Sequence, residues 1–212
     1  MPHQNRVTPD NLIISTPARG MFMGNRGCLH DDVGKIRRSH ANRRWIICVL
    51  EFKNRKRALM QPGRYTELFF LDEATALAAG HRPCAECQRE RYTLFRRLWA
   101  EMHSVAHVSA DELDAVLHAE RLNADGSKRP YRAALAGLPD GVIVRLDQHP
   151  DADYLVLGDR LLRWTSFGYI EPIPRPVDAN VTVLTPPSTV KVLAAGYRPV
   201  IHSNALTAYS PL

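Results

Sequence analysis

Long apolar runs are missing from this chain. The longest, Trp45-Ile46-Ile47-Cys48-Val49-Leu50, is far short of the roughly 20 residues that cross a bilayer, so no membrane partner is expected. The start, Met1-Pro2-His3-Gln4-Asn5-Arg6, has no apolar signal-peptide core, and the expected compartment is the cytoplasm. Cysteine is scarce, with four in 212 residues; in a reducing compartment their expected use is metal binding first and a redox pair second, ahead of disulfides. Acid is scarce in one place only. Between Lys35 and Arg64 a single acidic residue, Glu51, faces ten basic ones, so this stretch carries +9 and the rest of the chain −3 of a total of +6. What is present in bulk, 45% hydrophobic and 24% charged side chains, excludes disordered, collagenous and coiled-coil classes.

Residues 1–20, rich in Pro, Asn, Thr and Ser, read as an arm or an irregular early strand. Residues 45–52 and 65–70 have strand patterning and flank a basic stretch and the Pro62-Gly63 turn, which predicts a basic-tipped β-hairpin. Asp72 can cap a short helix over 73–79 with Gly80 as its left-handed stop. Tyr92, Phe95, Leu98, Trp99 and Met102 have the spacing of an amphipathic helix over 87–103. Ser109-Ala110-Asp111-Glu112 is a capping box for a helix to about Arg121, and 133–136 reads as a continuation into a helical hairpin. Short β runs follow at 141–146, 154–157, 161–164 and 181–184, with Gly158-Asp159 as a hairpin turn. Pro186 starts a last helix that ends at Gly196.

The expected class is α+β: an N-terminal zinc-bound β-hairpin plus helices, followed by a small antiparallel β lobe. The expected division is a zinc-containing α+β domain with the basic hairpin over 1–137 and a β-rich C-terminal lobe packed on it over 138–212.

Cys84-Ala85-Glu86-Cys87 lies between Pro83 and the amphipathic helix, at a helix N-terminus where the dipole and backbone N–H groups favour thiolate. Two cysteines so spaced converge on one tetrahedral ion, the half-site of structural zinc. The expected cofactor is Zn2+, held by Cys84 and Cys87 with Cys28 and Cys48, and His30 is the alternate fourth ligand. His40 and His81 also compete, because imidazole is an equally good zinc ligand.

The stretch 71–88, in which Leu71-Asp72-Glu73-Ala74-Thr75-Ala76-Leu77-Ala78-Ala79-Gly80 leads into His81-Arg82-Pro83-Cys84-Ala85-Glu86-Cys87-Gln88, resembles the second half of the Ada-type metal-binding domain. That domain is the zinc module of a bacterial alkylation-repair regulator. With the strand before it, the resemblance spans about residues 65–88. It implies that Cys84 and Cys87 stand for two of four zinc thiolates and that preceding strands supply the others. The family's first pair is Cys-x-x-x-Cys, whereas here Cys28 and Cys48 are twenty positions apart and Asp32 stands four after Cys28.

Two other groupings hold chemically capable residues. His30-Asp31-Asp32 with Arg37, Arg38 and His40 has the ingredients of a metal-dependent nuclease, against a plain capping use of the aspartates. Residues 164–169 form an aromatic, turn-rich segment that either stacks a base or plugs a sheet. The expected function is a zinc-stabilised nucleic-acid-binding protein related to DNA damage handling, with DNA ahead of RNA as partner. Its phosphate contacts would come from Arg37, Arg38, Arg43, Arg44, Lys53, Arg55, Lys56 and Arg57. The alternatives are a metal-dependent nuclease or phosphohydrolase, and a structural zinc module without activity.

Overall fold

A computed structural model describes residues 1–54 and 58–209. The fold is α+β, built on two six-stranded sheets. The first sheet contains β1 (Gln4–Val7), β2 (Ile13–Ser15), β3 (Phe22–Asn25), β4 (Ile46–Cys48), β5 (Leu68–Phe70) and β6 (Arg82–Pro83), in the order β2-β1-β5-β3-β4-β6. Helix α1 (Glu73–Ala78) falls between β5 and β6, and α2 (Arg89–Met102) and α3 (Ala110–Arg121) follow. The second sheet contains β7 (Tyr131–Ala134), β8 (Ile143–Leu146), β9 (His149–Leu157), β10 (Arg160–Thr165), β11 (Gly168–Pro174) and β12 (Asn180–Val183), all antiparallel, in the order β11-β10-β9-β8-β12-β7. Helices α4 (Pro187–Ala194) and α5 (Asn204–Tyr209) close the chain.

Local signals account for most of these boundaries. The Asp72 carboxylate accepts from Thr75 N at 2.8 Å to cap α1, and Gly80 stops it at φ +87. Ser109 and Glu112 complete the capping box that opens α3. Gly158, at φ +55, turns β9 into β10. Of the two readings of the N-terminal residues, an arm or an irregular early strand, the structure shows strands, β1 and β2, and Arg6 lies opposite Phe69 in a parallel pairing of β1 with β5.

Two expectations are corrected. The stretches 45–52 and 65–70 do not form a hairpin, because β3 lies between β4 and β5 and pairs antiparallel with both. Gly24 makes that insertion possible: a Cβ there would sit 2.1 Å from the Ile46 carbonyl oxygen and 2.9 Å from the Phe70 ring, so only glycine admits β3 at this spacing. Residues 133–136 are not helical either. Ala133 and Ala134 complete β7 against β12, and a single 3-10 turn, Leu135–Gly137, follows. Alanine's helix preference yields here to sheet pairing that buries Val181 and Val183 on the partner strand.

One apolar cluster runs through both sheets, from Val7, Phe22 and Phe70 to Val144, Val156 and Leu161, with Phe95, Leu98 and Trp99 of α2 packed into it. Within 164–169, Trp164 and Tyr169 serve the packing, whereas Phe167 is exposed. Trp164 Nε1 donates to Thr75 Oγ1 at 3.0 Å, and the buried Tyr169 hydroxyl donates to Asp72 at 2.8 Å.

Candidate metal centre

The centre stands on one parallel strand pair. β4 and β6 run side by side with Ile46 opposite Arg82 and Ile47 opposite Pro83, which brings Cys48, at the end of β4, level with Cys84. Cys84 N donates to Ile47 O at 2.9 Å and Gln88 Nε2 donates to the same carbonyl at 2.8 Å. The chain then turns through Gln88 N to Cys84 O, 3.1 Å, and this turn carries Cys87 back over the pair before α2 begins. The Sγ atoms of Cys48, Cys84 and Cys87 lie within 4.8 Å of one another. A tetrahedral ion with Zn–S bonds of about 2.3 Å needs its sulfurs about 3.8 Å apart, so shifts of about 1 Å or less close the set.

The electrostatics fit that use. Cys84 Sγ accepts from Glu86 N at 3.4 Å, and further backbone N–H groups point at sulfur, that of Cys87 at Cys84 and that of Val49 at Cys87. The thiols of Cys48 and Cys87 also donate to Cys84, so its thiolate is held far below the usual thiol range, while donation and burial push Cys48 strongly up. Three thiols this close share protons around one thiolate. A metal ion replaces those protons with a single central charge, and metal binding therefore releases protons.

The other expected ligands lie elsewhere. Cys28, half-buried, points its Sγ at His30 O at 3.6 Å and is no part of the cluster. Both ring nitrogens of His30 are engaged, Nδ1 with Thr66 Oγ1 at 2.6 Å and Nε2 with Gln61 O at 3.3 Å. His81 is buried, and its Nε2 accepts from Arg26 Nε at 3.1 Å; His40 packs against Trp45 and His118. Among the described residues no His, Asp or Glu joins the three sulfurs, and the residues outside the description, Arg55, Lys56, Arg57, Ser210, Pro211 and Leu212, have no side chain of those kinds. Among the described residues the cluster thus offers three ligands to a metal ion.

A cavity of about 410 Å³ opens beside the sulfurs. Its lining adds three carboxylates, Glu51, Glu67 and Glu86, and the aromatic rings of Phe52, Tyr65 and Phe69. Glu67 is buried and accepts from Met60 N at 2.8 Å. None of these residues was expected from the sequence to belong to a site. Glu86 carried a readable signal, its place between the paired cysteines, but Glu67 and Tyr65 reach the cavity only because β5 is separated from β4 by β3.

The basic residues are dispersed. Arg38, Arg43 and Lys53 are exposed, and Lys53 Nζ lies 5.1 Å from the Phe52 ring centroid. Arg37 is paired with Asp31 at 2.6 Å and Arg44 with Asp111 at 3.1 Å. Arg55, Lys56 and Arg57 lie outside the described residues. Asp31, an ingredient of the nuclease grouping, accepts from Val33 N and Lys35 N at 3.1 and 2.9 Å and so caps its own turn. Comparison of the chain with family models, with curated proteins and with solved structures returned no match. No helix among the described residues is long and apolar enough to cross a membrane.

Proposed function

We propose that the chain is a zinc-thiolate protein that binds nucleic acid, DNA ahead of RNA. The observation that carries the reading is the convergence of Cys48, Cys84 and Cys87 within 4.8 Å. Thiolate donors select soft or borderline ions, and among these zinc readily takes a sulfur, nitrogen or oxygen fourth ligand in tetrahedral geometry. The resemblance of 71–88 to the Ada-type module favours the same ion and a role in DNA damage handling. Nucleic acid would meet the exposed cations Arg38 and Arg43, before the cysteine-bearing strand, and Lys53, after it, through phosphate contacts.

A second reading is favoured by the cavity. Three protein ligands and a fourth position facing open space is the pattern of catalytic zinc, and structural sites use four protein ligands. Bound there, zinc lowers the pKa of a coordinated water and makes it a nucleophile near neutral pH. Glu67 or Glu86 would accept the proton, and the aromatic lining suits a planar group. Three thiolates and three carboxylates make this cavity anionic, so its substrate would be a neutral planar moiety such as a nucleobase, and not a phosphate.

Elemental analysis tests the first element of the proposal: one zinc per chain in the wild type and less than half in Cys48→Ser. Duplex DNA binding measured against salt tests the second. Replacing Arg38, Arg43 and Lys53 with Ala should flatten the slope of log affinity against log salt by up to about 0.9 per lost contact. No retention on DNA at low salt, or an unchanged slope, sinks the nucleic-acid reading. If the water attacks a ring carbon that bears an exocyclic amino group, that group leaves as ammonia, and metal-dependent release of ammonia from nucleosides or oligonucleotides would decide for the second.

A further inference from the structure

The other end of the β4–β6 pair, three residues upstream of the cysteines on each strand, holds Trp45 and His81 and a cluster of cations. The guanidinium carbons of Arg26 and Arg121 each lie 4.0 Å from the Trp45 ring centroid, and both side chains are fully buried. Neither has an acidic partner among the described residues. Arg26 donates to His81 Nε2 at 3.1 Å and to Ser39 O at 3.4 Å. Arg121 donates to Gly80 O and Arg43 O, each at 2.8 Å, and to His118 Nδ1 at 3.0 Å. Lys128 adds a third basic group, which donates to Ala78 O and whose pKa burial and Arg26 lower to about 7. The nearby carboxylate of Asp114 is taken up by Arg82, at 2.6 and 2.9 Å. Asp10 and Asp153, which act on Lys128 at longer range, are paired with Arg145.

Buried charges without counter-charge are costly, and proteins normally pair them. Here three buried nitrogens also lack any acceptor: Arg26 Nη2, Arg121 Nε and His81 Nδ1. The interior around Trp45 is rich in donors and positive charge and poor in acceptors. Two half-exposed imidazoles stand at its outer side, with His40 and His118 5.2 Å apart between centroids and 5.6 and 6.4 Å from Trp45. Because Arg121 donates to its Nδ1, neutral His118 carries its proton on Nε2 and is itself a donor. Burial, Arg121, His40 and Arg43 hold its pKa at about 4, and burial with Arg121 and Arg26 lowers that of His40. A metal cation is disfavoured at these imidazoles by the same field.

We propose that His40 and His118, backed by Arg26 and Arg121, form a binding site for a phosphate-class oxyanion. A tetrahedral oxyanion answers several donors arriving from different directions and supplies negative charge that the cluster lacks. The site does not depend on the metal centre or on its reading, and the chemistry it recognises is shared by a free phosphate and by a nucleic-acid phosphodiester.

The test uses the full-length, metal-loaded protein with isotope-labelled histidine, titrated separately with inorganic phosphate and with a short single-stranded oligodeoxynucleotide. The expected result is saturable movement of two of the nine imidazole signals, those of His40 and His118, with the His118 titration moving to higher pH when the anion is bound. Movement with phosphate identifies a free-anion site, and movement with the oligonucleotide alone identifies a backbone phosphodiester. His40→Ala/His118→Ala, whose fold is checked by its melting curve, should weaken the anion by about tenfold or more. If neither ligand moves the two signals, or if the double variant binds with unchanged affinity, the proposal is overturned. His118→Gln, which keeps a donor without the titration, should retain more affinity than His118→Ala.

Discussion

The hydroxyl of Tyr169, on β11, donates to the carboxylate of Asp72 at 2.8 Å, and that carboxylate also accepts from the backbone N–H of Thr75 and of His202. One buried side chain thus caps α1 and ties it to the second sheet and to the segment before α5. Tyr169→Phe should cost about 1–2 kcal/mol of global stability. Because one apolar cluster still runs through both sheets when this α1–β11 bond is removed, chemical denaturation followed at tryptophan and at backbone signals should still show one coincident transition. Two separated transitions in the variant would mean that this bond holds the halves together by itself.

Removing the metal should weaken the fold at one place. The β4–β6 pair is two residues long in register, and the three sulfurs are its cross-link. A structural thiolate zinc contributes folding free energy on the order of 10 kcal/mol. Chelation, or Cys84→Ser, is therefore expected to lower the melting temperature and to raise amide exchange in β6 and the turn into α2 before the second sheet is affected. A Cys84→Ser protein that keeps stoichiometric metal and its full melting temperature would remove Cys84 from the site.

The Arg82–Asp114 pair is almost completely buried, with side chains 4% and 3% exposed. Asp114→Ala leaves a buried guanidinium without its partner and should cost about 3–5 kcal/mol, whereas the double change Arg82→Met/Asp114→Leu should cost much less. Denaturant midpoints of the three variants measure the difference.

Stability should fall on the acid side earlier than carboxylate protonation alone requires. The folded pKa of His118 is about 4, and burial, with Arg26 and Arg121, holds that of His81 well below its usual value. An unfolded histidine titrates near 6.5. Between about pH 6.5 and 4 the unfolded chain binds protons that the native state refuses, so the free energy of unfolding decreases as pH falls through this window. Unfolding measured across it in the wild type and in His118→Ala should show a shallower decline in the variant; equal slopes would mean that His118 titrates freely.

Residues whose signals are local were legible. Asp72, Ser109, Glu112 and Gly158 act on neighbours within a few positions, and they fall where their chemistry places them. Cys84 and Cys87 were legible for the same reason, and Cys48 because the number of thiols is small. Sheet order was not legible. β3 enters between β4 and β5 by virtue of Gly24, and a glycine's empty volume is invisible without its neighbours. Cys28 and His30 looked suited to metal by type and proximity in sequence, yet Thr66 and Gln61, more than thirty positions away, occupy His30 and hold the loop apart from the sulfurs. The buried arginines were missed because Arg26 and Arg121 stand among many exposed ones, and their burial against Trp45 is a long-range event.

The order in which the first sheet is completed has a kinetic meaning. Cys84 and Cys87 directly follow β6, the last of its six strands, and both β1–β5 and β4–β6 are parallel pairings between distant segments, the slow kind to form. During synthesis no partial chain that ends before β6 holds more than one of the three sulfurs. Capture of a metal by the three sulfurs would thereby be postponed until every strand of the sheet has been made, and an ion held there would act as a latch on a finished layer, unavailable to trap an incomplete one.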